Sequence, residues 1–383
     1  MIHTARFTSF KSLAELELTL APMTLLVGAN GSGKTSILQA LHDLLSVPMA
    51  KPNEKREHGR PGAVFAGKHD PGRLGRVRPD DLRGELHGAL SVEVFGPGFG
   101  AFGLSAQRSP VKDRFSLWRG LDEQRVELVY GQPDPRAEQA FFAPLLDRGL
   151  GSVVYLHINA QRAAEPAYSD DEQARVEADG TGLAVALQRL QVLRDGRFEQ
   201  IEAALTRLVP SVRRLRAVPH RVTRIERVHV TVDGESEVLD QPRVRTGARV
   251  EAEIAGSGWI AADLLSEGTV LALALLTVLI DQAPRLVLLD DIDQALHPSA
   301  QRRMFDELRT IIAGREDVQV VATTHSPYLL DHAQIDEVRV LHLDDQGRTH
   351  CRPLSEHPKW PKRAGFLSPG EFWAGVGEAW VGE

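Results

Sequence analysis

An α/β fold, with a mixed β-sheet lobe and a helical lobe, is predicted by three features of the sequence. A short apolar run, Met23 to Val27, feeds a glycine-rich turn that opens an amphipathic helix. A second apolar run, Leu286 to Leu289, ends in two carboxylates. The last third of the chain alternates strand-like and helical segments, the pattern of βα units.

The bulk numbers narrow the class. The chain has 383 residues, 42% hydrophobic and 25% charged, the balance of an ordinary globular protein. A formal net charge of -7 excludes a global attraction to nucleic acid and leaves room only for a local basic groove. The single cysteine, Cys351, excludes an intramolecular disulfide and fits a reducing interior. Met1 to Phe10 is polar and strand-like, unlike a signal peptide. The longest greasy stretch, Val270 to Ile280, is too short to span a bilayer. A cytoplasmic protein with no membrane partner is expected.

Along the chain, Ile2 to Phe7 and Leu16 to Leu20 alternate like strands. Lys34 to Leu45 predicts a helix with Ile37, Leu38, Leu41, Leu44 and Leu45 on one face. Pro48 to Asp81, rich in Pro, Gly, Arg and Lys, reads as a variable surface insertion. Gly84 to Leu128 is β-like with Gly-Pro-Gly punctuation, and Val153 to Ile158 suits a buried strand. Helical periods run between Asp171 and Val209, and Arg227 to Val232 alternates into an Asp233-Gly234 hairpin turn. Glu267 to Asp281 predicts a helix, Ser299 to Ala313 another, Val318 to Thr323 a strand, and Arg339 to Leu354 a closing hairpin. A single head is expected: a first lobe half at 1–165, a helical lobe with its hairpin at 166–265, a return at 266–354, and an aromatic tail at 355–383. No repeat or sustained heptad pattern interrupts it.

Gly28-Ala29-Asn30-Gly31-Ser32-Gly33-Lys34-Thr35, followed by Ser36, fits the phosphate-loop pattern G-x-x-x-x-G-K-[ST], with a strand before and a helix after. Glycines let the backbone curl so that successive N–H groups point at phosphate oxygens. The helix N-terminus adds partial positive charge. Lys34 is the candidate ligand of the β- and γ-phosphates of ATP, and Thr35 of Mg²⁺. At the acidic strand end, Asp290 is the candidate holder of Mg²⁺ through its water shell, and Asp291 the candidate base for the attacking water.

Two further stretches resemble the ABC-type ATPase family. Leu265-Ser266-Glu267-Gly268-Thr269 is similar to the family signature, in which Ser266 and Gly268 would open a helix onto the γ-phosphate held by an opposite protomer. Thr324-His325-Ser326-Pro327 looks like the family's switch segment, which gives His325 a contact to the γ-phosphate. Asp291-Ile292-Asp293-Gln294-Ala295-Leu296-His297-Pro298 resembles the DE-x-E-x-x-LHP run of RecF-like and OLD-like ATPases. Phe10 to Leu13, Tyr155 to Arg162 and Asp179 to Leu183 also look like that group. The resemblance implies a P-loop NTPase of ABC type that binds ATP and Mg²⁺ and closes as a head-to-tail homodimer. It makes Gln161 the candidate Mg²⁺-sensing glutamine. Asp291 and Asp293 replace the family's usual Glu, so slow hydrolysis is expected, because a misplaced base can cost about a hundredfold.

Two exclusions narrow what the resemblance implies. An SMC coiled-coil arm is excluded because no heptads fill Leu45 to Leu264. Too few residues follow His325 for the Toprim nuclease domain of OLD-like proteins, so a bare ATPase is expected. The group it resembles includes ATPase subunits of bacterial anti-phage systems, which implies a separately encoded nuclease or other effector as partner. A RecF-like DNA clamp is the alternative, and a nucleotide-switched scaffold with little turnover a third. Arg207 to Arg227 carries seven arginines that could track DNA phosphates, although a solvated charged face accounts for them more simply. The basic stretch from Lys51 to Arg83 is mixed with acids. Trp360, Trp373 and Trp380 crowd the tail, where Phe372, Val376 and Trp380 would share a helical face. That tail is expected to dock on its own domain, with a partner surface as the alternative.

Overall fold

A computed structural model describes residues 1–46, 90–96, 100–107, 114–120, 126–129, 135–147, 152–232, 235–294, 296–315 and 317–383. The expected insertion at 48–81, the Gly-Pro-Gly break after Phe95 and the Asp233-Gly234 turn lie outside the described residues, wholly or in part. Two compact units emerge. The first comprises residues 1–155, 284–293 and 309–383; the second comprises 156–283 and 294–308.

The first unit is built on two six-stranded sheets. One is antiparallel, in the order β2 (Leu13–Thr19), β1 (Thr4–Phe10), β4 (Leu90–Gly96), β5 (Gly100–Gln107), β6 (Arg114–Arg119) and β7 (Val126–Val129). The other runs β15 (Thr349–Pro353), β14 (Val338–Leu343), β3 (Met23–Gly28), β13 (Gln319–Thr323), β12 (Leu286–Leu289) and β8 (Val153–Leu156). Its four inner strands β14, β3, β13 and β12 are parallel and buried, which explains their continuous apolar runs. Helix α1 (Lys34–Ser46) supplies Ile37, Leu38, Leu41 and Leu44 to a core shared with Phe7, Leu18, Val94 and Phe102 of the antiparallel sheet. The same core takes Leu26, Leu288, Val321 and Leu341 from the parallel sheet. Helix α2 (Pro135–Asp147) adds Phe141 and Leu145.

The second unit gathers α3 (Ala160–Ala164), α4 (Leu183–Leu193), α5 (Arg197–Leu208), a three-stranded antiparallel sheet of β9 (Val212–Val232), β10 (Glu235–Ile254) and β11 (Gly258–Ala261), and α6 (Glu267–Thr277). Helix α7 (Pro298–Ala313) begins in it. It therefore takes in residues 156–165 and α6 as well as the expected 166–265. The cause is α6 itself: apolar on nearly every side, it is buried against α3, α4 and α5 rather than presenting one stripe. One turn of π-helix, Val278–Gln282, follows it and carries the buried Asp281, which pairs with Arg189 and, at 2.7 Å, with Arg197. The hairpin is far longer than Arg227 to Val232 suggested, because β9 starts at Val212 and stays paired with β10 along its length. Arg207 pairs with Glu307 at 2.6 Å, and Arg216 pairs with Glu251 at 2.6 Å and stacks on Trp259. Arg213, Arg214 and Arg221 are exposed.

The tail docks on the first unit. Helix α9 (Pro369–Val376) starts from a capping box of Ser368 and Glu371 and packs on α8 (Pro327–Leu330). It ends at Gly377, so Trp380 sits on a separate turn, Ala379–Gly382, and not on the helical face expected for it. Phe372 and Trp380 instead close on His357 edge-on, with ring centroids 5.1 Å and 4.8 Å apart. The burial of these rings argues against an aromatic partner surface there. Among the described residues, no helix is long and apolar enough to cross a membrane. Phe372→Ala should cost about 3–5 kcal/mol in denaturant unfolding; a loss under about 1 kcal/mol would contradict this account of the tail.

Candidate functional site

Parallel pairing decides where the chemistry meets. Leu289 lies beside Ala322, Thr323 beside Leu26 and Leu341 beside Gly28, so β12, β13, β3 and β14 end along one sheet edge. Ligands of open α/β sheets bind at such carboxyl ends. The phosphate loop follows β3, the two aspartates follow β12, and Thr324-His325 follows β13.

The loop's sterics explain two of its glycines. A Cβ on Gly28 would lie 2.3 Å from Leu341 O, and Gly28 has φ +151°. At Gly33, φ is +99° and a Cβ would lie 2.5 Å from Thr349 Oγ1. Lys34 is buried and donates from Nζ to Gly28 O at 2.8 Å and Ala29 O at 2.9 Å. Burial pulls its ammonium below the ordinary lysine range, against the opposing pull of Asp291, Asp290, Glu378 and Asp293. Ala29, Asn30, Gly31 and Thr35 are exposed, Ser36 is half-buried, and Ser32 Oγ is buried with no hydrogen-bond partner among the described residues.

Asp290 is the hub. Its Oδ1 accepts from Thr323 Oγ1 at 2.8 Å and Thr35 Oγ1 at 3.1 Å; its Oδ2 accepts from Tyr155 OH at 2.9 Å. Thr323 Oγ1 also accepts from the Asp291 backbone N–H at 2.7 Å. Asp291 has φ +53°, a left-handed conformation that short Asp and Asn side chains tolerate better than longer ones. The Ile292 N–H bonds Thr323 O at 3.1 Å, and the His325 N–H bonds Asp293 Oδ1 at 3.3 Å, tying the two strand ends together. The His325 side chain is exposed.

This donor set fits Mg²⁺ and a phosphate chain. Thr35 gives its proton to Asp290, which leaves hydroxyl lone pairs for a metal. One hydroxyl and one carboxylate suit a cation that takes its other ligands from water and phosphates. The orphaned Ser32 hydroxyl in the loop suits an oxygen-rich ligand. Among the described residues, no group of three His, Cys, Asp or Glu side chains gathers as an alternative metal site.

Lys34, Thr35, Asp290 and Asp291 thus come together in the first unit, with His325 next to them in the chain path. Gln161, Ser266 and Gly268 belong to the second unit. Gln161 is exposed on α3, whose first turn is capped by Asn159. Ser266 caps α6, its Oγ accepting from the Thr269 N–H at 3.3 Å, and is exposed at that helix start. Two residues the sequence reading did not single out are Thr323 and Tyr155; for Thr323 the available signal was a hydroxyl at the end of a buried strand, and Tyr155, inside the edge strand β8, carried none. Thr323→Val, which keeps shape but removes the hydroxyl between both aspartates, should cost about 1–3 kcal/mol in equilibrium unfolding, with Thr323→Ser closer to wild type. Equal stability of all three proteins would contradict this arrangement.

Comparison with known proteins gives the family and the fold. Residues 23–331 match the AAA_21 family, described as "AAA domain, putative AbiEii toxin, Type IV TA system". The chain is 39% identical over 83 residues to the DNA replication and repair protein RecF of Salinibacter ruber, covering 21% of this chain and 20% of that protein. It is 35% identical over 69 residues to the Septu protein PtuA of Bacillus thuringiensis, covering 18% and 17% respectively. The matched stretches thus span about a fifth of those relatives' lengths. An SMC head crystallised with the C-terminal winged-helix domain of ScpA superposes with TM-score 0.57 at 14% identity, covering 94% of this chain and 99% of that one. An SMC head with extended coiled coil, bound to a ScpA domain from Pyrococcus furiosus, gives 0.52 at 13% identity, covering 94% and 98%. The chain belongs to this AAA-domain family and has the fold of the ABC-type ATPases of the RecF and SMC group.

Proposed function

We propose that the protein binds and hydrolyses Mg-ATP, closes as a head-to-tail homodimer, and through that cycle regulates a separately encoded effector, a nuclease by preference, in anti-phage defence. The observation that supports the ATPase reading is the Thr35–Asp290–Thr323–Asp291 cluster at the end of the phosphate-loop sheet. Lys34 and the loop N–H groups bind the β- and γ-phosphates. Thr35 and Asp290 hold Mg²⁺, which neutralises charge building on the phosphates. Asp291 accepts the proton of the attacking water as the γ-phosphorus bond to the bridging oxygen breaks. Ser266 and Gly268 at the start of α6 offer a helix N-terminus to the γ-phosphate of the opposite protomer, and His325 contacts a γ-phosphate from the switch segment. Gln161 is assigned to sensing the metal.

The effector role rests on the resemblance to anti-phage ATPase subunits, on the match to a Septu protein and on the family's toxin description. The RecF similarity and the exposed Arg213, Arg214 and Arg221 on the long hairpin favour a second reading, a DNA clamp. Salt-sensitive binding of duplex DNA that appears only with Mg-ATP would establish it over the effector reading.

Lys34→Ala should abolish Mg-ATP binding. Asp291→Asn should keep binding, lower turnover by roughly a hundredfold or more, and accumulate a species of twice the monomer mass in light scattering. Turnover by Lys34→Ala at the wild-type rate would sink the ATPase reading, and a monomeric Asp291→Asn protein with Mg-ATP would sink the dimer.

A further inference from the structure

We infer that Tyr155 is a positioning residue for Asp290, its phenol fixing the carboxylate that meets the metal's water shell. This rests on the Mg-ATP reading of the site and assigns it a residue from β8, outside the loop, acidic and switch segments. The Tyr155 O–H donates to Asp290 Oδ2 at 2.9 Å, whereas the two threonine hydroxyls both go to Oδ1. Without Tyr155, the carboxylate is held at Oδ1 alone and Oδ2 has no protein donor among these three hydroxyls. With it, Oδ2 is held and still has a lone pair for a metal-bound water.

The phenol is itself aimed. Its ring packs against the core of the first unit and lies 5.7 Å from the His42 ring of α1. Gln39 on the same helix acts on the phenol oxygen, and its own Oε1 accepts from Lys11 in the β1–β2 turn. Hydrogen bonds thus run from Tyr155 to Asp290 and through Thr323 to the Asp291 backbone, with Gln39 and its partner Lys11 beside the phenol. Outer partners of metal ligands commonly set metal affinity in this way.

The test titrates Mg²⁺ against the full-length wild type, Tyr155→Phe and Gln39→Ala in the presence of a fluorescent ATP analogue, with nucleotide-free melting and analogue binding in EDTA measured alongside. Tyr155→Phe keeps the ring and should raise the half-saturating Mg²⁺ concentration about tenfold or more. Gln39→Ala should shift it in the same direction by less, while binding in EDTA stays unchanged. A Mg²⁺ midpoint unmoved in both variants overturns the role of Tyr155, and so does a lower melting temperature with that midpoint unmoved. A wild type whose analogue binding ignores Mg²⁺ overturns the Mg-ATP reading and this role together.

Discussion

A carboxylate at the end of a buried four-residue strand must be solvated by the protein itself, since an unpaired charge in an apolar sheet is costly. Asp290 meets this requirement with three hydroxyls drawn from α1, β13 and β8. Each hydroxyl comes from a different stretch of sequence, so satisfying one charge draws together the phosphate loop, the acidic strand, the switch strand and the edge strand. The site is a by-product of that satisfaction. Hydroxyls are also donors that tolerate a nearby cation, because their lone pairs remain available once the proton is committed.

The sheet makes this convergence automatic. With β14, β3, β13 and β12 parallel and in register, the chain delivers Gly28, Asp290 and Thr324 to one edge from segments separated by some three hundred residues. The core behind that edge, where α1 meets leucines, valines and phenylalanines of two sheets, is what keeps the loop and the carboxylates still. Binding sites on such rigid elements are pre-formed, which is the condition for electrostatic catalysis.

What could be read from the sequence was what is encoded locally. The phosphate loop carries its own glycines, flanking strand and helix, and Leu286 to Leu289 announces a buried strand by composition. Thr323 and Tyr155 were hidden because their importance lies in partners 33 and 135 residues away. The long hairpin was underestimated because the first half of β9 is broken up by arginines and Pro219, which obscure alternation; pairing with β10, an ion pair and Trp259 compensate. The tail was read as one helix because Phe372, Val376 and Trp380 have helical spacing, but Gly377 ends it and the rings pack on His357. Asp291 was read as a shortened glutamate. Its left-handed backbone gives the short side chain a local reason.

The central claim is that Thr35 and Asp290 form one metal site with the phosphate loop. Its most direct test is an experimental structure of the protein with Mg²⁺ and a non-hydrolysable ATP analogue. The account predicts Thr35 Oγ1 bound to the metal at about 2.0–2.1 Å, with Asp290 reaching it through water and still bonded to Thr323. Nucleotide bound away from the loop, or a metal that neither residue approaches, would contradict it.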